Sequence, residues 1–294
     1  MKTKLLKILV RFLALLPLPL VRGVGQLLGS FVWAANRRMA RTTRINLELC
    51  FPGLTPEARA SLGKSSMQHT LKTVMEAGAV WLWPVPRALE LVQEVSGLPL
   101  LEAAHDNGKG VLVIAPHLGN WELFGLFLNN CGCGQSWQLY QPPDSPELDR
   151  FIYQARSRGG ASMVATDNSG VGELLKALRR GEIVGILPDQ VPPLSGGEFA
   201  TFFGQQALTM TLFNRLQQKT GAKVLVGVAV RSWVGFHVHI IEPSPEIYAK
   251  DMPKALEGLN ASIEKIVRAY PEQYQWEYKR FKRQPAGGTS PYTD

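Results

Sequence analysis

The sequence predicts an α/β fold with a mixed, largely parallel central sheet flanked by helices. From about residue 95 onward, short runs rich in Val, Ile and Leu alternate with amphipathic stretches. Gly, Pro or Asn separates many of these runs, as is typical of alternating strands and helices. Such alternation builds a sheet that is covered by helices. A third observation, an apolar stretch at the N-terminus, predicts a membrane-anchoring helical segment ahead of this fold.

The elements follow in order. A helical region over 55–83 begins with Thr55 as N-cap followed by Pro56, and it ends at Pro84 and Pro86. The predicted strands are 110–115, 137–141, 162–166, 183–187, 224–231 and 236–241. The predicted helices are 121–129, 146–157, 171–180, 208–220 and 253–270.

The chain divides into a membrane-anchoring segment, 1–35, and one further domain, 36–294. The uninterrupted apolar run from Phe12 to Val21 is ten residues long, whereas a straight span needs about 20. The segment is therefore expected to lie in or enter the inner leaflet, or to form a short span; a buried amphipathic helix pair is the alternative. Basic residues that follow favour the cytoplasmic side of the inner membrane for the rest of the chain. They are Arg37, Arg38, Arg41 and Arg44.

Charge and cysteine content narrow the function classes. The formal net charge of +8 suits anionic lipid or a phosphorylated substrate. No nucleic-acid-binding module is recognisable, so nucleic acid is not expected as a partner. The three cysteines, Cys50, Cys131 and Cys133, are too few for a disulfide framework. A bare Cys-Gly-Cys also lacks the partners of a zinc site, so no metal is predicted.

The run from Val111 to Glu122 carries the clearest chemical signal. A buried strand ends at His117, Asn120 is a good N-cap, and Glu122 falls in the first turn of the next helix. On one helix His117 and Glu122 would diverge by about 140°, but across a strand–turn–helix junction they can meet. A carboxylate on one ring nitrogen leaves the other nitrogen free as a base. The pattern predicts activation of a substrate hydroxyl; a structural or surface histidine is the alternative.

The segment Ala115-Pro-His-Leu-Gly-Asn-Trp-Glu122 resembles the His-x4-Asp/Glu signature of glycerolipid acyltransferases. The variant is that of the lipid A late (lauroyl/myristoyl) acyltransferase family. Other segments agree with that family in the same order along nearly the whole chain. They are Arg156-Ser-Arg-Gly159, Gly185-Ile-Leu-Pro-Asp-Gln190, Phe202-Phe-Gly204, Thr220-Gly-Ala222 and the tail 271–285.

The resemblance implies transfer of a fatty acyl chain from an acyl carrier protein thioester to a hydroxyl of a lipid A precursor. His117 Nε2 would take the proton from that hydroxyl, and Glu122 would orient and support the imidazolium. Exposed N–H groups at the start of helix 121 would stabilise the tetrahedral intermediate. Neither a covalent acyl-enzyme nor a protein-bound cofactor is required.

The same resemblance implies further site residues. The expected catalytic set is His117, Glu122, Arg158 and Asp189, and the expected substrate-binding set is Arg156, Asn120, Phe203 and Gly204.

Several of these roles have alternatives. Arg158 aligns better than Arg156 with the arginine that functions in the family, and either could clamp a phosphate or be solvated. Asp189 would pair with that arginine or form an Asx turn. Phe203 and Gly204 line the acyl channel or pack beneath it. The role of Gln190 is left open.

Three alternatives remain at the level of the sequence. The acceptor could be another membrane lipid, such as a lysophospholipid, ornithine lipid or glycolipid. The chain could also be a non-catalytic lipid-binding membrane protein that keeps the fold. The basic–aromatic tail 276–283 could place Trp276 and Tyr278 at headgroup depth, or it could be a packed chain end with solvated charges.

Overall fold

The computed structural model describes residues 2–292. The helices are α1 (Lys2–Leu15), α2 (Leu18–Ala34), α3 (Arg38–Cys50), α4 (Pro56–Leu82), α5 (Val85–Leu89), α6 (Leu98–Asp106), α7 (Trp121–Leu128), α8 (Pro146–Ser157), α9 (Asn168–Arg179), α10 (Leu212–Thr220) and α11 (Met252–Ala269). The strands are β1 (Val92–Ser96), β2 (Val111–Ile114), β3 (Ser136–Tyr140), β4 (Ser162–Ala165), β5 (Ile183–Ile186), β6 (Gly197–Phe202), β7 (Gln205–Met210), β8 (Lys223–Arg231) and β9 (Phe236–Ile241).

The centre of the fold is a seven-stranded sheet in the order β1-β9-β8-β2-β5-β3-β4. Its strands pair in parallel except for β8 and β9, which are antiparallel. The prediction of a mixed, largely parallel sheet flanked by helices is therefore confirmed. All six predicted strands are present, and β6 and β7 form a separate hairpin.

The central strands are apolar on both faces because helices cover both sides of the sheet. Successive residues of β2 enter two different hydrophobic clusters: Leu112 and Ile114 lie in one, and Val111 and Val113 lie in the other. This alternation is the period-two geometry of a strand. The strands that end at the site are therefore packed against apolar side chains on both faces of the sheet.

The expected helix over 208–220 is wrong in its first part. Residues Gln205–Met210 form β7, and the helix is confined to Leu212–Thr220. The hairpin is closed by Phe203 and Gly204, whose φ angles are +50° and +75°. Two consecutive positive φ values are the mark of a type I′ turn, and the pairing of Phe202 with Gln205 fits it. The sequence pattern does not predict the edge strand β1 either, since only two of its five residues are apolar.

The N-terminal helices α1 and α2 pack against the long helix α4. A Cβ added to Gly29 of α2 would lie 2.4 Å from the Cα of Gln68, so glycine permits the close approach of the two backbones. Among the described residues, no single helix has both the length and the hydropathy to cross a membrane. The pair α2 and α3 would meet both criteria together, but the two axes bend by 79°. Membrane anchoring by residues 1–35 therefore stays a prediction.

The C-terminal tail is packed into the core. Trp276 is 2% exposed and Phe281 is 1% exposed, and Arg280 donates from Nη1 to the carbonyl of Leu208 at 2.7 Å. The interpretation of Trp276 as a headgroup anchor is therefore wrong, because its ring is buried against Phe51 and Phe203.

Candidate active site

Two neighbouring strands bring His117 and Asp189 together. Ile114 of β2 pairs with Ile186 of β5 in parallel register. Each strand is followed by one residue and a proline, so His117 and Asp189 each lie three positions beyond their paired isoleucine. Because parallel strands end at the same edge of a sheet, the two side chains meet there.

Asp189 holds His117 through two hydrogen bonds. One carboxylate oxygen lies 2.8 Å from His117 Nδ1, and the other accepts the backbone N–H of His117 at 2.8 Å. Burial raises the pKa of the Asp189 carboxyl, but the charge and hydrogen bonds of His117 outweigh it, so the net pKa is below its usual range. An ionised Asp189 can only accept, which places a hydrogen on Nδ1 and leaves Nε2 of the neutral ring as an acceptor.

The free edge of the His117 ring faces Gln190. The side-chain amide nitrogen of Gln190 lies 3.3 Å from His117 Nε2 and donates to Gln275 Oε1 at 3.2 Å. The Trp121 ring packs edge-on against the imidazole, with 5.0 Å between ring centroids. His117 is thus fixed on both sides of its ring.

The loop from His117 to Asn120 is held between β8 and the C-terminal tail. Asn120 donates its N–H to the carbonyl of Ala229 at 2.9 Å, and Gly119 donates to the carbonyl of Gln273 at 2.9 Å. Gln275 in turn donates to the carbonyl of His117 at 3.1 Å. Gly119 has φ +65°, and a Cβ there would lie 2.1 Å from the Ala229 oxygen. Only glycine fits this position.

Asn120 is a cap rather than a substrate ligand. Its Oδ1 accepts the N–H of Leu123 at 3.0 Å, which caps α7, and its Nδ2 donates to Glu76 Oε2 at 3.0 Å. The residue is 1% exposed. With both ends of the side chain occupied and no accessible surface, the predicted substrate-binding role of Asn120 does not agree with its position.

Beneath the loop lies a buried charged cluster centred on Glu76. The Glu76 carboxylate is fully buried and accepts from Arg22 Nε at 2.7 Å and from Arg231 Nη2 at 2.6 Å. Burial raises the pKa of Glu76, but the two arginines lower it by more, so the net pKa is below its usual range. Thr73, one turn earlier on α4, donates to the Gly119 carbonyl at 3.0 Å. The cluster therefore supports the loop of residues 117–120 from α4.

Glu122 forms an ion pair with Arg156, not the expected contact with His117. Arg156 donates from Nε to Glu122 Oε2 at 2.9 Å and from Nη2 to Oε1, and Trp81 Nε1 donates to Oε2 at 3.0 Å. The Nδ1 edge of His117 is already occupied by Asp189 on the adjacent strand end. Burial raises the pKa of Glu122, and Arg156 lowers it by more, so the net pKa is below its usual range. The expected pairing of Asp189 with an arginine is likewise replaced, by the bond to His117.

The structure brings Arg156, and not Arg158, to the pocket. Arg158 donates to the carbonyls of Val80 and Trp83 at the C-terminal end of α4. A cation that satisfies the last carbonyls of a helix is a stabilising cap. The structure therefore places Arg156 rather than Arg158 at the pocket, and a catalytic role of Arg158 stays a prediction.

Phe203 and Gly204 lie away from the pocket. Both form the turn of the β6–β7 hairpin, and the buried Phe203 ring packs on Phe51 and Trp276. Neither residue is among those that line the pocket. Of the two alternatives given above, packing is the one that Phe203 fits, whereas Gly204 is exposed at the turn.

A pocket of about 710 Å³ opens at the His117 edge of the sheet. This size lies within the range of about 300–1,000 Å³ that is typical of small-molecule sites. The polar side chains in its wall include His117, Glu122, Gln138, Tyr140, Arg156, Thr166 and Gln190. The apolar side chains include Phe124, Leu128, Leu139, Met163, Leu187, Met210 and Leu212. The pocket therefore offers a polar rim beside the histidine and an apolar interior.

Trp81 and Trp121 were not recognised as site residues from the sequence. Trp81 belongs to α4, and no local sequence pattern links it to Glu122. Trp121 lies inside the His-x4-Glu motif, so its position beside the ring could have been inferred from the motif itself.

This geometry defines a class: α/β proteins in which a strand-end histidine, oriented by a buried carboxylate, lies at the mouth of a largely apolar pocket. Comparison with known proteins identifies the family. The family model "Bacterial lipid A biosynthesis acyltransferase" matches residues 2–283. The chain belongs to this family.

Three relatives show the level of similarity. The lipid A biosynthesis palmitoleoyltransferase of Escherichia coli K12 is 30% identical over 280 residues, covering 94% of this chain and 90% of the relative. The lauroyltransferase of the same organism is 29% identical over 284 residues, with the same coverage of both chains. The myristoyltransferase is 24% identical over 270 residues, covering 90% of this chain and 82% of the relative.

Proposed function

We propose that this protein transfers a fatty acyl chain from an acyl carrier protein thioester to a hydroxyl group of a lipid A precursor. The observation that carries the proposal is the His117–Asp189 pair at the mouth of the pocket, in a chain that belongs to the lipid A acyltransferase family. The apolar interior would hold the acyl chain, and the polar rim would hold the groups that react.

The acceptor hydroxyl would first replace the Gln190 amide at His117 Nε2. As the hydroxyl oxygen attacks the thioester carbonyl, its proton passes to Nε2, and Asp189 stabilises the imidazolium through Nδ1–H. The tetrahedral intermediate then collapses with cleavage of the carbon–sulfur bond, and the imidazolium returns the proton to the departing thiolate. The products are the ester and the free carrier thiol. General-base action of this kind contributes about 10²- to 10⁴-fold.

The start of α7 provides donors for the oxyanion. The helical hydrogen bonds of α7 begin with Phe124 N–H and Asn120 C=O, and the Leu123 N–H is capped by Asn120 Oδ1. The N–H groups of Trp121 and Glu122 precede these bonds and belong to residues that line the pocket. Unpaired N–H groups at a helix N-terminus stabilise developing negative charge.

The Glu122–Arg156 pair would form the opposite wall of the reaction centre. Arg156 uses Nε and Nη2 for Glu122, so its Nη1 edge is the part that would meet a substrate phosphate. In this proposal Glu122 holds Arg156 in place and adds negative charge near the ring rather than binding Nδ1. The thioester is already activated, so the steps above need no protein-bound cofactor.

The charge of the chain fits both proposed partners. A net charge of +8 complements an acidic carrier protein and a phosphorylated glycolipid. Exposed apolar residues on α1 and α2, among them Leu5, Leu15, Leu27 and Phe31, fit the surface of the inner membrane, with the catalytic domain on its cytoplasmic side. Residues 1–35 would then lie on the membrane as two helices rather than span it once.

Mass spectrometry of lipid A tests the proposal. Cells that lack this protein would be complemented with the wild type or with His117→Ala. We expect loss of one acyl mass from lipid A, restored by the wild type only. Unchanged lipid A would indicate that the acceptor is another lipid. Rescue by His117→Ala would show that His117 is not the catalytic base. Assays with purified acyl carrier protein or coenzyme A thioesters would identify the donor.

A further inference from the structure

The turn between β8 and β9, residues 232–235, carries two apolar side chains in full contact with solvent. Trp233 is 95% exposed and Val234 is 67% exposed. The turn itself is tight, because Ser232 donates its N–H to the Gly235 carbonyl at 3.0 Å and Gly235 donates to Ser232 Oγ at 3.2 Å. Tryptophan is normally well buried in a folded protein, so this exposure calls for a partner outside the chain.

Arg22 of α2 holds the turn in place. Its guanidinium donates to the carbonyls of Ser232 at 3.1 Å, Trp233 at 3.2 Å and Gly235 at 3.0 Å. The third nitrogen of the guanidinium, Nε, donates to the buried carboxylate of Glu76. The backbone of the turn is therefore fixed beside α2, and the exposure of Trp233 is not the result of a loose loop.

The helix that holds the turn has its own unpartnered apolar surface. Leu15 and Leu20, at the α1–α2 corner ahead of Arg22, are both exposed, and so are Leu27 and Phe31 further along α2. Exposed cations accompany this surface, and the chain contains no Asp or Glu before Glu48. An apolar surface with a basic border is the composition that binds an anionic lipid surface.

We infer that the 232–235 turn is a second membrane-contact element, which inserts Trp233 and Val234 into the headgroup region of an anionic bilayer beside α1 and α2. The inference rests on the proposed membrane association and adds to it an element far from the N-terminus in sequence. Indole rings favour the bilayer interface. Two side chains are too few for a stable protein interface, which takes about 800 Å² from each partner.

The insertion would also set the position of the active site. Glu76, which binds Arg22, binds Asn120 as well, and Thr73 of the same helix bonds to the Gly119 carbonyl. The turn, α2 and the catalytic loop are thus joined through one buried cluster. Contact of the turn with lipid would fix how far the pocket mouth lies from the headgroups that carry the acceptor.

Vesicle binding by the full-length protein tests the inference. Sedimentation with sucrose-loaded vesicles of phosphatidylcholine and phosphatidylglycerol would compare the wild type with Trp233→Ala, Val234→Ser and the double variant. We expect the double variant to bind at least about tenfold more weakly, since even partial burial of an indole and an isopropyl group is worth more than 1.4 kcal/mol. The matched control is Leu54→Ala. Leu54 is an exposed apolar residue just before the start of α4. Measured along the axis of α4, it lies about 30 Å from Glu76.

The outcomes separate this inference from the membrane association itself. If Phe31→Ser weakens binding but the Trp233 and Val234 variants match Leu54→Ala, the turn is not a membrane element and α2 alone is. If the wild type does not bind vesicles, the proposed association fails, and this inference fails with it. Weaker binding of acyl carrier protein by Trp233→Ala, without loss of vesicle binding, would identify a protein contact and overturn the inference.

A second measurement does not depend on affinity. Cys131 is the one partly exposed cysteine, while Cys50 and Cys133 are buried, so a fluorophore can be placed on Trp233→Cys in a Cys131→Ser background. Quenching by lipids with a nitroxide near the headgroup is expected for the vesicle-bound protein. A label on Leu54→Cys should stay unquenched, and equal quenching at both positions would contradict a specific insertion.

Discussion

His117 and Asp189 occupy equivalent positions at the ends of two paired strands. Ile114 and Ile186 are register partners, and each is followed by one residue, a proline and then the functional side chain. The carboxylate binds both the ring and the backbone N–H of the histidine. The orientation of the imidazole is therefore determined by the sheet backbone, so a substitution at either side chain can change the local hydrogen bonds while the fold is kept.

The variant Asp189→Asn tests whether Asp189 controls the tautomer of the His117 ring. Asp189 accepts two hydrogen bonds through two oxygens, but an amide has one acceptor and would present N–H to either the backbone or Nδ1. The variant would thus favour the wrong tautomer or lose a buried bond. We expect kcat to fall about 10²- to 10⁴-fold with little change in KM. Steady-state kinetics of acyl transfer measures this.

The matched control for that experiment is Asp167→Asn. Asp167 caps α9 by accepting the N–H of Gly170 at 2.8 Å, and asparagine is also a good N-cap. Its kcat should stay within about twofold of the wild type. A loss below tenfold in Asp189→Asn would show that Asp189 does not control the tautomer.

Glu122 and Arg156 should be coupled in stability. A double-mutant cycle of Glu122→Gln and Arg156→Lys, followed by urea unfolding, is expected to give a coupling free energy of about 1–3 kcal/mol, because the pair is partly buried and bidentate. The exposed pair Arg180–Glu182 is the control, with an expected coupling below about 1 kcal/mol. Equal coupling in both cycles would favour the original interpretation of Glu122 as the partner of His117.

Gln190 should protect His117 in the free enzyme. Its amide lies 3.3 Å from Nε2, and a hydrogen bond of about 1 kcal/mol slows competing reactions at that nitrogen roughly fivefold. Gln190→Met should therefore raise the rate of His117 modification by diethyl pyrocarbonate about fivefold, as followed by mass spectrometry. Gln138→Met is the control, since Gln138 lines the same pocket but donates to the Gly125 carbonyl. An unchanged rate in Gln190→Met would refute the displacement step.

His69 should make the protein less stable at mildly acidic pH. Its Nδ1 lies 2.9 Å from Arg231 Nη1, which can only donate. Burial and the positive charges of Arg231 and Lys72 lower the pKa of His69 to about 3. Between about pH 6.5 and 3 the unfolded chain binds a proton at this residue that the folded protein does not, so stability falls as the pH falls.

Urea unfolding at pH 7.5 and 5.5 measures the effect. The wild type should lose up to about 1.4 kcal/mol more than His69→Gln over this interval. Glutamine is the chosen variant because its oxygen can still accept from Arg231 without taking up a proton. If both proteins lose the same stability, His69 is protonated in the folded state.

Much of the sheet could be predicted from the sequence, because its central strands are continuous apolar runs between Gly and Pro. The hairpin of β6 and β7 could not, since its short strands carry mixed residues and its turn places Phe203 in a left-handed conformation that a bulky residue rarely adopts. The sequence pattern therefore joined residues 208–210, the last part of β7, to the following helix.

Four of the eight expected site residues lie together in the structure, but the contacts between them differ from those expected. His117, Glu122, Arg156 and Asp189 are all at the pocket or directly behind it. The carboxylate that contacts His117 is determined by which strand lies next to β2 in the sheet. Local sequence patterns do not reveal the order of the strands. The equal spacing of Pro116-His117 and Pro188-Asp189 after their strands would have indicated the pairing, had β2 and β5 been known as neighbours.

The loop that carries His117 depends on residues that are synthesised much later. His117 and Gly119 complete their backbone hydrogen bonds with Gln275 and Gln273, which leave the ribosome more than 150 residues after the histidine. A nascent chain that already contains His117, Glu122 and Asp189 still lacks one side of the loop. Chains truncated before Gln273 would therefore contain the strands that flank His117 but lack the backbone partners that fix His117 and Gly119.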